Sequence, residues 1–317
     1  MKPYTEHPTA EYAGYLDLPK RSYFADEARY PKVPGLQNTF GWFEVRRIAG
    51  CDGVFAVAEP RHEQNGCFYL MLGSDRALVF DTGLGIYDPR PLVEELAEGR
   101  EIIVVNSHFH FDHTGGNHFF GKCFIHLDDL VKRVAEQGLH SPVITEQVRD
   151  EAFPLGVPEG FDQAGYGTEP FECEDVADGQ VFDLGGRFLR VMYAPGHSPD
   201  GICLIDEAND LVLAGDTFYL GALYGQFASD EFGYSDMADY RATMHRLAGE
   251  VGDETKVLCC HNEFMADGPK IRQAAELFDQ ILEGSAAVAG RSEDQLSYGE
   301  EGEIKQVFGD GFSVMYV

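Results

Sequence analysis

Three histidines and one aspartate stand within a six-residue segment, directly after a continuous apolar run. The run, residues 101–106 (EIIVVN), has the composition of a buried strand, and the segment after it contains His108, His110, Asp112 and His113. An extended or looping backbone aims alternate side chains the same way, so His108 and His110 can approach one metal ion while the other two serve a second. Imidazole and carboxylate ligands suit zinc, iron or manganese. The sequence therefore predicts a metal site at the end of this strand.

Apolar runs and turn residues divide the chain into two sets of strands, each followed by helices. Gly, Asp and Asn between the early strands indicate hairpins, and Pro and Gly mark where helices begin and end. This order predicts an α/β protein in which two sheets pack face to face with helices outside. The predicted strands are residues 43–48, 54–58, 67–72, 77–80, 101–106, 188–194, 201–206, 211–214 and 256–260, and the predicted helices are residues 88–98, 130–137, 145–152, 236–247 and 269–282. Residues 153–179 are predicted as loop and residues 303–317 as a hairpin.

The chain is strongly acidic, with 24 basic and 54 acidic residues and a formal net charge of -30. An acidic surface repels phosphate backbones and anionic lipid, so neither nucleic acid nor a membrane is expected as a partner. We find no apolar run long enough for a membrane span, and no signal-peptide pattern at the start. Seven cysteines without C-x-x-C spacing suit a reducing compartment. The expected location is the cytoplasm.

Five motifs, in order along the chain, resemble those of the metallo-β-lactamase superfamily. The segment HFHFDH resembles its H-x-H-x-D-H signature, and the other four segments are VFDTG, APGHSPDG, AGDTF and CCHN, at residues 79–83, 194–201, 214–218 and 259–262. The resemblance implies an αββα four-layer sandwich over residues 42–317, with residues 1–41 as an N-terminal extension that packs on the domain. The chain looks like a hydrolase of the glyoxalase II or N-acyl-homoserine lactonase kind.

Taken motif by motif, the resemblance implies two divalent metal ions. Zinc is the expected ion, and iron or manganese suits the same ligands. The first ion would be held by His108, His110 and His197, the second by Asp112, His113 and His261, and Asp216 would bridge the two. Asp81, in the first of the five motifs, is expected to orient a metal-binding histidine.

The resemblance further implies hydrolysis of an acyl group. A hydroxide carried by the metals would attack the acyl carbonyl, and Asp216 or Asp112 would relay the proton to the leaving group. Tyr219 is similar to a tyrosine of the lactonase branch that helps to hold the substrate carbonyl; the alternative is an ordinary packing role. Aromatic residues across 217–234 predict either an apolar substrate wall or a cover for the sheet. The predicted function is a dinuclear, metal-dependent hydrolase that cleaves an ester, thioester, lactone or amide of a small molecule.

The alternative function is an oxidoreductase of the same fold, a mononuclear iron persulfide dioxygenase, because such relatives keep a similar ligand set. Such enzymes bind iron only at the site that corresponds to His108 and His197, together with the bridging aspartate. One iron per chain and oxygen uptake would therefore favour this alternative.

Other functions of the same fold are disfavoured by composition. The missing signal pattern disfavours a secreted β-lactamase, the acidic charge disfavours RNA processing, and the scarcity of Lys and Arg in the second half of the chain disfavours a glutathione thioester as substrate. Substrate, metal identity and oligomeric state, including a homodimer, stay open.

Overall fold

The computed structural model describes residues 26–36, 41–292 and 304–317. Within these ranges the strands are β1 (Glu44–Arg47), β2 (Val54–Ala58), β3 (Cys67–Leu72), β4 (Arg76–Phe80), β5 (Glu101–Val105), β6 (Lys122–Ile125), β7 (Glu172–Asp175), β8 (Val181–Asp183), β9 (Phe188–Tyr193), β10 (Ile202–Asp206), β11 (Leu211–Leu213), β12 (Ala222–Tyr224), β13 (Ala228–Ser229), β14 (Gly233–Tyr234), β15 (Lys256–Leu258), β16 (Met265–Asp267), β17 (Gly290–Ser292), β18 (Ile304–Phe308) and β19 (Ser313–Tyr316). The helices are α1 (Arg90–Ala97), α2 (Phe111–Thr114), α3 (Asp129–Gln137), α4 (Pro142–Glu146), α5 (Met237–Glu250) and α6 (Gly268–Leu282). None of these helices is both long and apolar enough to cross a bilayer.

Two large sheets carry the fold, and they differ in strand order. One contains β1 to β7 side by side in chain order, antiparallel from β1 to β4 and parallel from β4 to β7. The other has the order β16-β15-β11-β10-β9-β8 and is antiparallel except for the pair β11–β15. In this second sheet β9, β11 and β15 therefore run in the same direction. Strands that run in the same direction bring the loops after them to one edge of the sheet.

Alternating side chains separate one inner core from two outer cores. Phe80 and Val105 point into the inner core, where they join residues of β9 and β10 from the other sheet. Their chain neighbours Val79 and Val104 point the opposite way, into a core shared with α1, α3 and α4. Helices α5 and α6 pack against the outer face of the second sheet. The predicted αββα four-layer sandwich is confirmed.

The predicted helix over residues 145–152 is wrong. The Ser141 hydroxyl caps an earlier helix by accepting a hydrogen bond from the Ile144 amide at 3.3 Å, and Pro142 occupies the first turn. Helix α4 therefore spans Pro142–Glu146, and a single 3-10 turn at Asp150–Ala152 follows it. The other four predicted helices overlap α1, α3, α5 and α6.

Several strands carry no apolar alternation, and the sequence pattern does not predict them. Strand β7 lies inside residues 153–179, which are predicted as loop. Its sequence is ECED, and it forms an edge of the first sheet with mostly exposed acidic side chains. Charged edge strands discourage pairing with other chains, and they also lack the signal by which strands are recognised. The predicted C-terminal hairpin is confirmed as β18 and β19, which pair with β17 and β12 to form a four-stranded sheet.

Residues 26–36 run along β1. The Val33 amide donates a hydrogen bond to the Val45 carbonyl at 2.9 Å. Tyr30 is buried, with its ring centroid 5.0 Å from that of Phe264. Residues 1–25 and 37–40 lie outside the described residues, so the division into an extension of residues 1–41 and a domain of residues 42–317 stays a prediction.

Candidate metal centre

The candidate ligands follow the ends of four strands. The segment 108–113 comes after β5, His197 after β9, Asp216 after β11 and His261 after β15. Because β9, β11 and β15 run in the same direction, the loops after them meet at one edge of the second sheet, opposite the segment after β5. Residues that are far apart in the chain thus converge on one space between the two sheets.

His108, His110 and His197 form the first cluster. Their donor atoms all lie within 4.8 Å of one another. His197 Nε2 is 3.2 Å from His110 Nδ1, and the ring centroids of His108 and His110 are 4.4 Å apart. Three imidazoles at these separations could hold one metal ion.

Asp112, His113 and His261 form the second cluster, again with donor atoms within 4.8 Å of one another. The Asp112 carboxylate is 3.7 Å from His113 Nε2 and 3.5 Å from His261 Nε2. The short helix α2 places Asp112 and His113 on its first turn, with His110 just before it. This second cluster could hold another metal ion.

Asp216 lies between the two clusters. Its Oδ1 atom is 3.3 Å from His113 Nε2 and 3.1 Å from His261 Nε2, while Oδ2 is 3.4 Å from His197 Nε2. One carboxylate therefore reaches both clusters, as a bridging ligand must. The structure brings all seven residues of the predicted ligand set together.

In four of the histidines, a hydrogen bond to one ring nitrogen fixes the ring, and the other ring nitrogen faces the space between the two clusters. We call these the outer and the inner nitrogen. The pairs are His108 Nδ1 with Ser107 Oγ at 2.9 Å, His110 Nε2 with the Phe232 carbonyl at 3.0 Å, His113 Nδ1 with Asp81 Oδ2 at 2.9 Å, and His261 Nδ1 with the Gln64 carbonyl at 2.9 Å. Outer bonds of this kind are typical of metal-binding histidines. Three inner atoms, His108 Nε2, His113 Nε2 and Asp216 Oδ1, are buried and find no hydrogen-bond partner among the residues that the structure describes, which is rare for polar atoms. The donor set therefore fits metal ions.

The first cluster is electrically neutral near pH 7. Burial lowers the pKa of His108 well below its usual value. Burial, together with the neighbouring His197, lowers the pKa of His110 to about 3, and burial also lowers the pKa of His197. Neutral imidazole is the form that binds a metal ion, so these three side chains need lose no proton to do so.

The second cluster carries charge. Burial disfavours the charged form of His113 and His261, but the Asp216 and Asp112 carboxylates together outweigh it and raise the pKa of both histidines, with Asp81 adding to the effect on His113. In return, the two imidazoles hold the pKa of Asp216 well below its usual range against the effect of burial. Asp216 is therefore ionised, as a bridging carboxylate has to be.

Asp81 lies beneath both clusters. Its Oδ2 atom accepts hydrogen bonds from His113 Nδ1 at 2.9 Å and from Ser107 Oγ at 2.8 Å, and its Oδ1 atom accepts one from the Ser107 amide at 2.7 Å. The Ser107 hydroxyl is then free to accept from His108 Nδ1. One carboxylate thus orients His113 directly and His108 through Ser107. Sequence reasoning finds Asp81 but misses Ser107, although it stands directly before the motif.

The loop of residues 59–66 holds His261 through its main chain. The Gln64 carbonyl accepts a hydrogen bond from His261 Nδ1, and Gly66 forms a β-bridge with His261. His62 shapes this loop: it is buried, its Nε2 atom donates to the Gln147 carbonyl at 2.9 Å, and its Nδ1 atom accepts from the Gln64 amide at 3.2 Å. Sequence reasoning does not find the contact of Gln64 with His261, because a main-chain carbonyl carries no sequence signal.

Acid is expected to destabilise the protein through His62. Burial lowers the pKa of His62 from 6.5 to about 4. Between these values the unfolded chain binds a proton that the folded chain does not, so stability falls as the pH falls from 6.5 to 4, by up to about 3 kcal/mol. His62→Gln keeps a donor and an acceptor and should flatten this part of the profile. Urea unfolding of both proteins at pH 7 and pH 4.5 measures the difference; the same loss of stability in both would contradict the expectation.

Tyr219 lies beside the second cluster. Its ring centroid is 5.1 Å from that of His261, and its hydroxyl donates a hydrogen bond to the Ala222 carbonyl. The side chain is buried. The ring thus packs against a candidate ligand, while the role of the hydroxyl toward a substrate carbonyl stays a prediction.

Comparisons with known proteins agree with this geometry. The model of the metallo-beta-lactamase superfamily matches residues 65–260, more than half of the chain. Acyl-coenzyme A thioesterase MBLAC2 of Homo sapiens is 32% identical over 248 residues, which cover 71% of this chain and 84% of that protein. The protein of the same name in Bos taurus is 32% identical over 251 residues, with 71% and 84% covered.

Among solved structures, a metallo-beta-lactamase family protein from Thermus thermophilus has the same fold. Its TM-score is 0.50 at 21% identity, and the match covers 76% of this chain and 84% of that chain. The two thioesterases are hydrolases, which agrees with the hydrolase predicted from the motifs. This chain belongs to the metallo-β-lactamase superfamily.

Proposed function

We propose that this protein is a metal-dependent thioesterase that hydrolyses an acyl-coenzyme A to a carboxylic acid and free coenzyme A. The observation that carries the proposal is the convergence of five imidazoles and two carboxylates whose inner atoms face one space. The substrate class comes from the mammalian relatives, which are acyl-coenzyme A thioesterases.

Two metal ions, with zinc expected, complete the proposed site. The ligands would be His108, His110 and His197 for one ion, Asp112, His113 and His261 for the other, and Asp216 for both. Divalent ions at such a site supply a hydroxide nucleophile at neutral pH and a Lewis acid for the thioester carbonyl.

The two aspartates hold and move the proton of the reaction. Asp216 remains ionised because His113 and His261 surround it, so it accepts a hydrogen bond from the attacking water. Asp112 lies 3.5 Å from His261 Nε2 in the second cluster, where it would take the proton that the attacking water releases and deliver it to the departing sulfur. A free cysteine thiol has a pKa of about 8.5, so thiolates are good leaving groups and a strong acid beside the sulfur is not needed.

Salt is expected to improve the use of coenzyme A substrates. The net charge of -30 repels the phosphates of coenzyme A. Raising the ionic strength from 0.01 to 0.1 M shortens the screening length from about 30 to about 10 Å, so kcat/KM for an acyl-coenzyme A should rise several-fold. The matched control is the same acyl group on pantetheine, which has no phosphate and should show little change. A fall of kcat/KM with salt would show that cations recognise the phosphates.

The function is tested by thiol release from thioesters, with an ester and a lactone of the same acyl group for comparison. We expect metal removal by a chelator to abolish acyl-coenzyme A hydrolysis, and zinc to restore it with about two ions per chain. Zinc-loaded protein that cleaves no thioester would overturn the proposal. One iron per chain with oxygen uptake would also overturn it, in favour of the dioxygenase.

A further inference from the structure

A small cavity opens beside His110 and His197 at the first cluster. Its walls come from residues 224–235, the segment that contains the β13–β14 hairpin, and include the rings of Tyr224, Phe227 and Phe232. Its volume is about 30 Å³. A cavity of this size has room for only a few atoms of methylene size.

Apart from the imidazoles of His110 and His197, the wall of this cavity is mostly apolar. Its two serine hydroxyls are already engaged: Ser229 Oγ accepts a hydrogen bond from the Phe232 amide at 2.9 Å, and Ser235 Oγ accepts one from the Phe227 amide at 2.6 Å. No lysine or arginine lines the cavity in the part of the chain that the structure describes. Such a wall suits hydrocarbon and does not suit the amides or phosphates of coenzyme A.

We propose that this cavity is the acyl subsite and that it selects short acyl groups, from acetyl to butyryl. The inference rests on the proposed thioesterase function, which supplies the thioester. With the thioester carbonyl at the metal centre, the cavity beside His110 and His197 takes the acyl chain, and the coenzyme A moiety stays on the solvent side.

Contacts hold the wall of the cavity in place at two points. The Phe232 carbonyl accepts a hydrogen bond from His110 Nε2 at 3.0 Å, and the Phe232 ring lies 5.4 Å from the His110 ring. Arg133 of α3 donates a hydrogen bond to the Asp230 carbonyl at 2.7 Å. These contacts hold the Phe232 side of the wall in place. Phe232 also supports a candidate ligand, so it is a poor residue for a test of specificity.

Phe227 offers the cleaner test. Its ring packs against Tyr224, with centroids 5.9 Å apart, whereas the ring of Phe232 packs against His110 itself. Phe227→Ala removes a ring from the wall and makes room for longer chains. Because a buried methylene changes binding by about four-fold, we expect the kcat/KM ratio of hexanoyl to acetyl thioester to rise at least about ten-fold. Phe227→Leu, a smaller change, should shift the ratio in the same direction.

Tyr234→Ala is the matched control. Tyr234 lies on the same hairpin, but its side chain is 55% exposed, so this variant should keep the wild-type ratio. A binding measurement separates the subsite from the chemistry: S-alkyl coenzyme A thioethers, which are not hydrolysed, are titrated into metal-free protein by calorimetry. Wild type should bind ethyl to butyl thioethers more tightly than octyl thioether, and Phe227→Ala should reverse that order.

The outcomes distinguish this inference from the proposed function. If zinc-loaded wild type cleaves no thioester, the proposed function fails, and the thioether titration still decides whether the cavity selects short chains. A wild type that prefers octanoyl or octyl chains overturns the inference. Chain-length profiles that stay within two-fold of wild type in both Phe227 variants overturn it as well.

Discussion

Replacing Asp216 by asparagine is expected to remove most of the bound metal and to lower thioester hydrolysis by at least about 1000-fold. Loss of an outer-sphere partner typically costs 10–100-fold in metal affinity or activity, and loss of a bridging ligand should cost more. Asp216 is the carboxylate whose two oxygens face both clusters, with His261 Nε2 at 3.1 Å and His197 Nε2 at 3.4 Å.

Asp112→Asn provides the comparison, because Asp112 contacts only the second cluster. We expect this variant to lose about one ion per chain and to keep the ion held by His108, His110 and His197. Elemental analysis after gel filtration measures the metal content, and circular dichroism checks that both variants are folded. Asp239→Asn, an exposed aspartate on α5, is the control and should keep both ions. Equal metal loss in the Asp112 and Asp216 variants would contradict the division into two sites.

The place of the candidate site could be predicted because its candidate ligands follow mostly apolar strands. The run EIIVVN is unambiguous as a buried strand, and β5 ends at Val105, directly before the histidine segment. Each later motif likewise follows a mostly apolar strand, β9, β11 or β15, although β9 also contains Arg190. Burial on both faces imposes that pattern, so local sequence is enough to locate these strand ends.

The hydrogen bonds that support the candidate ligands could not be predicted, because they join residues far apart in the chain. The Gln64 carbonyl that holds His261 is 197 residues away from it, and the Phe232 carbonyl that holds His110 is 122 residues away. Any residue type presents the same carbonyl, so composition and spacing give no indication of either contact. Only the packed fold shows which main-chain group reaches which ring.

For the aromatic residues of 217–234, residue type alone leaves two alternatives open: a cover for the sheet or an apolar wall for the substrate. Phe218 covers the sheet: it is fully buried in the core with α5 and α6, and its ring lies 5.4 Å from Phe312. Phe227 and Phe232 instead line the cavity beside the candidate metal centre. The role as a cover for the sheet is thus seen for Phe218, while a substrate wall formed by Phe227 and Phe232 stays a prediction. The chain changes direction between the two groups near Gly221 and Gly225, where side chains would meet Asn262 and Met237.

Asp81→Asn is expected to disable the second metal site, although Asp81 does not contact the histidine ring nitrogens that would bind the metal. The change preserves the shape of the side chain, and asparagine tolerates the left-handed backbone at this position, where φ is 69°. It replaces one carboxylate oxygen by an amino group, which donates hydrogen bonds and accepts none. With that group in the place of Oδ2, His113 Nδ1 faces a donor and must give up its own proton. The proton then moves to Nε2, the atom that should bind metal.

Asp81 orients two histidines by different hydrogen bonds, His108 through Ser107 and His113 directly, and Ser107→Ala distinguishes the two. This variant removes the link from Asp81 to His108 and leaves the hydrogen bond between Asp81 and His113 in place. We therefore expect Ser107→Ala to weaken the first ion by about 10–100-fold and Asp81→Asn to weaken the second at least as much. Titration with a competing chelator, which reports two affinities per chain, measures both effects. Two wild-type affinities in Asp81→Asn would show that His113 keeps its metal-binding tautomer without the carboxylate. A loss of the second ion in Ser107→Ala would show that the serine acts on the whole centre and that the two histidines are not oriented independently.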